Sequence, residues 1–197
     1  MIASRTLVLA VGLFLSGCAS LQSPPKDTFY RLEIPASSRI ELHGVEGQLL
    51  FVPIFEASGL HGERALVFAH GDGTALEQHS YHFWIDSPRQ LLQNQLATYL
   101  HARLARETVT EPARSVTHVI QGRLLRFERR QGGGNDVASC EIEFRVYRQR
   151  SEAPLLKQIY RNEVDISGGP ENIAAGLSRA TATIFASFTE DLAQTLQ

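Results

Sequence analysis

Two cysteines in 197 residues, Cys18 and Cys140, leave little for covalent or redox chemistry to use. Once either is modified no intramolecular disulfide can form, so stability must come from a packed core. An excess of charge of one sign is also lacking: 19 basic against 21 acidic residues give a formal net charge of −2 at pH 7. No basic stripe is present to neutralise a phosphate backbone, which excludes a nucleic-acid binder of the usual kind. Beyond the first residues no apolar run approaches the ~20 residues that a membrane-spanning helix requires. Internal repeats and low-complexity blocks are absent, and nothing marks a boundary between two domains.

Catalytic signatures are missing as well. There is no Gly-x-Ser-x-Gly elbow, and Ser167-Gly168-Gly169 has no convincing His and Asp order around it. Gly132-Gly133-Gly134 is not followed by Lys-Ser/Thr or a helix, so it is no phosphate loop. Seven histidines invite a metal hypothesis, with His79 and His82 three apart and His70 beside Gly71-Asp72. His79 and His82 fall in a predicted strand, where odd spacing sends them to opposite faces unless a bulge intervenes. With no cysteine pair and no HExxH helix, no metal and no cofactor are expected.

What is present starts at residue 1. Met1-Ile2-Ala3-Ser4-Arg5 is basic, Thr6 to Leu15 is apolar, and Ser16-Gly17 are small. That order is a secretory signal peptide, with an apolar core too short to span a bilayer stably. Leu15-Ser16-Gly17-Cys18 resembles a bacterial lipobox, in which the cysteine is acylated and the chain is cut before it. The resemblance implies a signal peptide over 1–17 and a lipidated Cys18 that would begin the mature chain, with palmitate among its acyl groups. One acyl chain binds a membrane reversibly and two bind it stably. An ordinary signal peptide followed by a chance cysteine is the alternative. Ala19 stands where enterobacterial lipoproteins retained at the inner membrane carry aspartate, which points to the outer membrane.

Residues 18–27 read as the lipidated cysteine and a polar, proline-containing tether, and 28–197 as one domain. Short strands are predicted at Thr28–Glu33, Gln48–Phe55 (ending or bulging at Pro53), Arg64–Ala69 and Glu77–Trp84, the last two antiparallel across Gly71-Asp72-Gly73. Ser87-Pro88-Arg89-Gln90 predicts an N-cap, a first-turn proline and a capping box. The helix should run to about Glu107 with Leu92, Leu96, Tyr99, Leu100 and Leu104 inward. Three longer strands, 117–129, 137–148 and 155–166, form a meander, and a final helix from Pro170 buries Ile173, Leu177, Ala180, Ile184, Phe188 and Leu192. The fold class is α+β: a layered single domain, a mixed and largely antiparallel sheet with two main helices packed on it.

Cys140 alternates with Glu141, Glu143 and Arg145 along one strand, on the side shared by Ile142, Phe144 and Val146. It reads as a buried structural cysteine, with a reactive thiol as the alternative. Glu141, Glu143 and Arg145 then make a solvated or partner-facing row rather than an acid–base pair. Trp84 reads as a core anchor, or else as a partner-binding side chain.

Taken in order, Cys18, Phe29-Tyr30-Arg31-Leu32, Leu49-Leu50-Phe51-Val52, Arg64 to Phe68, Trp84-Ile85-Asp86-Ser87-Pro88 with Leu91 to Leu96, and the final helix resemble the ABC-type transport auxiliary lipoprotein family. The PqiC-like lipoproteins belong to it. The resemblance spans nearly the whole chain after Cys18 and carries no catalytic residues. It implies a non-enzymatic accessory of a mammalian-cell-entry (MCE) system moving lipid between the inner and outer membranes. The chain would be anchored at the periplasmic face of the outer membrane, dock a periplasmic MCE protein, and self-associate. A cell-envelope hydrolase or ligand-binding lipoprotein is the competing reading.

Overall fold

The structure, a computed structural model, describes residues 25–35, 38–40, 47–71, 73–131 and 136–197. Cys18, the signal segment, most of the tether and the glycine-rich hairpin tip lie outside the described residues. In chain order the strands are β1 (Thr28–Tyr30), β2 (Leu49–Phe51), β3 (Glu56–Ala57), β4 (Ala65–His70), β5 (Ala75–Trp84), β6 (Glu107–Val109), β7 (His118–Gln131), β8 (Asp136–Arg148) and β9 (Leu156–Ile166). Helices α1 (Pro88–Leu104) and α2 (Pro170–Leu196) and a 3-10 turn at Gly59–Gly62 complete the described elements.

All nine strands belong to one mixed sheet, with β7 as its spine. On one side β7 pairs antiparallel with β8 from His118↔Arg148 to Gln131↔Asp136, with one irregularity between Leu124 and Arg126. β8 pairs antiparallel with β9 without a break. The other edge of β7 is tiled by three short parallel strands: β2 at Leu50↔His118, β3 at Glu56↔Arg123 and β4 at Phe68↔Arg129. β4 runs antiparallel to β5, β5 parallel to β1, and β6 parallel to β2. This is the α+β layered domain that the alternation of patterns predicted.

Two boundaries differ from expectation, each for a local reason. Pro53 has no N–H to give to a ladder, so β2 stops at Phe51 and pairing with β7 resumes only at Glu56. α1 starts as predicted, with the Ser87 side chain accepting from the Gln90 N–H at 3.4 Å. Gln90 turns its amide toward Gln93 and Asn94, so only half of a capping box forms. The helix ends at Leu104, short of Glu107, because Ala105 adopts a left-handed conformation at φ 51°. The next residues then pair with β2 as β6, a parallel contact that local periodicity cannot reveal.

Both helical stripes are buried as their spacing required. Leu92, Leu96, Tyr99, Leu100 and Leu104 on α1, and Ile173, Leu177, Ala180, Ile184, Phe188 and Leu192 on α2, all lie in the core. At its centre Phe144 of β8 stacks on Phe188 of α2, centroids 4.0 Å apart, while Phe55 meets Phe144 edge-on at 5.9 Å. Two glycines permit close approach. A Cβ on Gly122 would stand 2.4 Å from the Phe55 ring, and one on Gly176 would stand 2.7 Å from the Ala138 Cβ.

Two substitutions test this packing. Leu96→Asp puts an unpaired carboxylate into a fully buried site and should cost about 3 kcal/mol or more. Gly122→Ala forces Phe55 from its place and should cost ~1–3 kcal/mol. Chemical denaturation reads both, and an unchanged midpoint for either would refute the assigned core.

Candidate functional site

Strand alternation divides β8 into two faces with different chemistry. Ala138, Cys140, Ile142, Phe144 and Val146 face the helices and are wholly buried. Glu141, Glu143 and Arg145 project from the opposite face, away from α1 and α2. The antiparallel register brings Glu141 beside Arg161, Glu143 beside Ile159 and Arg145 beside Lys157 on β9.

The face is a lattice of alternating charge. Arg145 pairs with Glu143. Arg126 of β7 reaches Glu141 at 3.7 Å and Glu128 at 3.4 Å. Glu128 also meets His61 of the 3-10 turn at 3.5 Å. On Glu163 of β9, Arg130 donates at 2.8 Å and the Ser139 hydroxyl at 3.0 Å. Arg161 donates to the same carboxylate, and that hydrogen bond chiefly holds Glu163 below the usual carboxylate range. Burial pushes Glu128 up, against the pull of Arg126 and Arg130. The hydrogen bond to Glu143 raises the Arg145 guanidinium further.

The partly exposed pairs, Arg126–Glu141, Arg130–Glu163 and Arg161–Glu163, contribute little to stability, about 0–1 kcal/mol each, but they fix an ordered pattern of sign. An open depression of about 230 Å³ lies at one end of the face, by Val119, Gln121 and Tyr147, but the cleft among Glu56, Gln121, Arg123, Glu143 and Arg145 has room for about 10 Å³. That is far below the ~300 Å³ of a small-molecule pocket, so the pattern suits a protein surface. Of the three sequence candidates on this face, Glu143 is the most enclosed, at 9 % exposure. Arg126, Glu128, Arg161 and Glu163 belong to the same face and were not singled out in the sequence. Counting the hairpin register outward from its glycine tip would have placed Arg126 opposite Glu141.

Trp84 is elsewhere. It is 1 % exposed and packs against Phe127 with centroids 5.2 Å apart, which leaves its indole no surface to offer a partner. The histidines need a correction. β4 and β5 shift register between Ala65↔Phe83 and Val67↔Gln78, and the extra residues on β5 bring the His79 and His82 rings to 5.4 Å. The odd-spacing argument fails across that irregularity. The Tyr30 hydroxyl occupies His82 Nδ1 at 2.9 Å, and among the described residues no group of three or more His, Cys, Asp or Glu is placed to hold a metal ion. Cys140 is fully buried; the Thr181 hydroxyl lies 3.6 Å from its sulfur, and burial pushes the thiol up to about 12.

Against known proteins, residues 50–187 match the family model described as ABC-type transport auxiliary lipoprotein component. The fold is similar to protein XCC0632 from Xanthomonas campestris, with TM-score 0.75 and 13 % identity over 85 % of this chain and 95 % of that one. An uncharacterized protein of solved structure gives 0.70 and 15 %, over 85 % and 99 %. The protein CT253 from Chlamydia trachomatis gives 0.54 and 8 %, over 76 % and 97 %. No curated protein matches the sequence.

The thiol and the histidines give two expectations. Cys140 should resist a maleimide in the folded protein and react once denaturant is added; labelling without unfolding would contradict its burial. Burial, aided by His82 and Arg129, lowers His79, and burial with Arg148 lowers His118. Both bind protons less readily folded than unfolded. Their contribution is therefore complete above the unfolded value of about 6.5 and is lost as pH falls through the folded values. Urea midpoints should drop between about pH 7 and 5.5, and His118→Gln should shallow that slope. A flat profile would refute the assignment.

Proposed function

The chain belongs to the ABC-type transport auxiliary lipoprotein family, and from that premise we propose that it is the outer-membrane accessory of an MCE-type intermembrane lipid transporter. Residues 1–17 act as the lipoprotein signal peptide, Cys18 carries the acyl chains, residues 18–27 tether, and 28–197 form the working domain in the periplasm. The family match is the observation that carries this reading.

The chemistry of the domain supports it. An ABC transporter's ATPase and permease supply the energy at the inner membrane, and an MCE protein bridges the periplasm. The remaining task at the far end is to hold that bridge against the outer membrane. Holding needs an anchor and a docking face rather than a reaction centre. The charged face around Glu141, Glu143 and Arg145 is rigid, because each of these side chains is on the central strand of a meander and tied to a neighbour. A partner with the complementary order of charges would exchange these pairs for intermolecular ones, which favours specificity and encounter rate over raw affinity. Self-association fits a terminal component that must match a symmetric bridge. The domain performs no turnover of its own.

Three measurements follow from this reading. Cys18→Ser should leave the protein out of the outer-membrane fraction, and wild type should show a diacylated or triacylated N-terminal peptide by mass spectrometry. Retention of the variant at wild-type level would sink the anchor. Affinity capture of the full chain from detergent-solubilised envelopes should recover an MCE protein. Glu141→Lys should lower that recovery severalfold with an unchanged melting temperature. A hydrolase activity abolished by one substitution, with no MCE protein captured, would replace the reading with the enzymatic one.

A further inference from the structure

The chain enters the domain through β1, and that edge of the sheet carries an apolar surface that the docking face does not explain. Phe29 is 53 % exposed, and Ile85 and Tyr81 are each 42 % exposed. Phe29 lies in register with Phe83 of β5, the two rings 5.8 Å apart. The register with β1 puts Phe83 beside Phe29, opposite His82 and the buried Trp84, and Ile85 follows the end of β5, its N–H donating to the Tyr30 carbonyl at 2.9 Å. Arg64 sits among them. Its guanidinium is 5.5 Å from the Phe29 ring centre and donates to the carbonyls of Trp84 at 3.3 Å and Ile85 at 3.0 Å. These bonds close the end of β5 and hold a cation beside exposed aromatic rings.

We propose that this Phe29–Ile85 surface is a membrane seat: it rests on the bilayer that holds Cys18, and so orients the domain. The proposal stands on the reading of Cys18 as the acylated residue. Nine residues lie between Cys18 and Thr28. Fully extended, that stretch reaches ~35 Å, and as a flexible coil it averages ~20 Å. A domain of about 170 residues is roughly 40 Å across. The β1 edge is therefore the part of the domain held nearest the lipid. β9 lies five strand spacings further away, about 24 Å, so seating that edge instead would stretch the tether beyond its ~20 Å average.

The composition fits the same occupant. Aromatic rings beside an arginine are side chains that populate a membrane interface, with an apolar body inward and a polar tip at the headgroups. Asp27 and Glu63 line the same depression as Phe29 and Arg64, so the patch carries no excess of positive charge. Attraction to anionic lipid does not hold it there; apolar contact does, and the seat should be insensitive to salt.

The seat is tested with the full, lipidated chain in vesicles of phosphatidylethanolamine and phosphatidylglycerol. A bimane label is placed at Ile85→Cys or, as a second variant, at Tyr81→Cys. Cys140 is buried and Cys18 acylated, so the new thiol is labelled selectively. The expected result is loss of bimane emission when the vesicles contain lipid with a brominated acyl chain, at low and at high salt alike. A label at Ile159→Cys on β9 should keep its emission. Phe29→Ser should restore emission at position 85 while the protein still sediments with the vesicles. Co-sedimentation without quenching at positions 81 and 85, or with equal quenching at 159, overturns the seat and leaves the anchor standing. Concentration-dependent protection of position 85 in detergent alone overturns it in favour of a second copy of the chain. Failure of the wild-type chain to sediment overturns the Cys18 reading and the seat with it.

Discussion

β7 is hydrogen-bonded along both of its edges, and its neighbours depend on it in different ways. On one side a single long partner, β8, runs its full length and carries β9 beyond. On the other side three short strands share the edge in succession, each too short to persist alone. The N-terminal third of the domain is thus attached to β7 piece by piece, with Phe55 packed against Gly122 where a side chain would block the approach. The helices cover one face of this sheet, and the uncovered face of the meander acquires its charge pattern from the same strand register.

That division organises the functional proposals. The outer face of β7, β8 and β9 is ordered in charge, and around Glu143 and Arg145 it leaves almost no cleft. The β1 edge is aromatic and next to the point where the tether joins. One suits a protein surface and the other a lipid surface, and they lie at opposite ends of the sheet. A domain with those two ends can stand between a membrane and a partner without changing shape. Nothing in the arrangement of Cys140, the histidines or the paired carboxylates competes with that role: the thiol is sealed in the core, His82 is held by Tyr30, and Glu141 and Glu143 each face an arginine.

Much of this was legible in the residues, where the governing interaction was local. Ser87-Pro88 marked the start of α1, the inward stripes of both helices were set by their 3.6-residue spacing, and Cys140 was placed in the core by its alternation with Glu141. What the sequence hid was non-local. β6 exists because β2 lies beside it, although residues 107–109 look like the continuation of a helix. His79 and His82 meet because β5 carries extra residues against β4, and no pattern within β5 announces a register shift set by its neighbour. The charge lattice was visible only as Glu141, Glu143 and Arg145, since Arg126, Arg161 and Glu163 join it through cross-strand pairing. Trp84 offered two readings, and only its neighbour Phe127, far away in the chain, separates them.

The piecewise edge of β7 also sets an order of assembly. Among the described residues β3 finds its strand partner only in β7, and β2 only in β6 and β7, so neither of these pairings forms before residues from 107 onward are available. The segments that must wait longest are made first. The growing chain therefore carries Leu49–Phe51 and residues 52–55 unpaired and apolar until the C-terminal meander arrives to receive them. Closing such long loops is slow compared with forming the β7–β8 hairpin. The interval between synthesis and closure is the period in which this protein is most open to capture, by a chaperone or by its own kind.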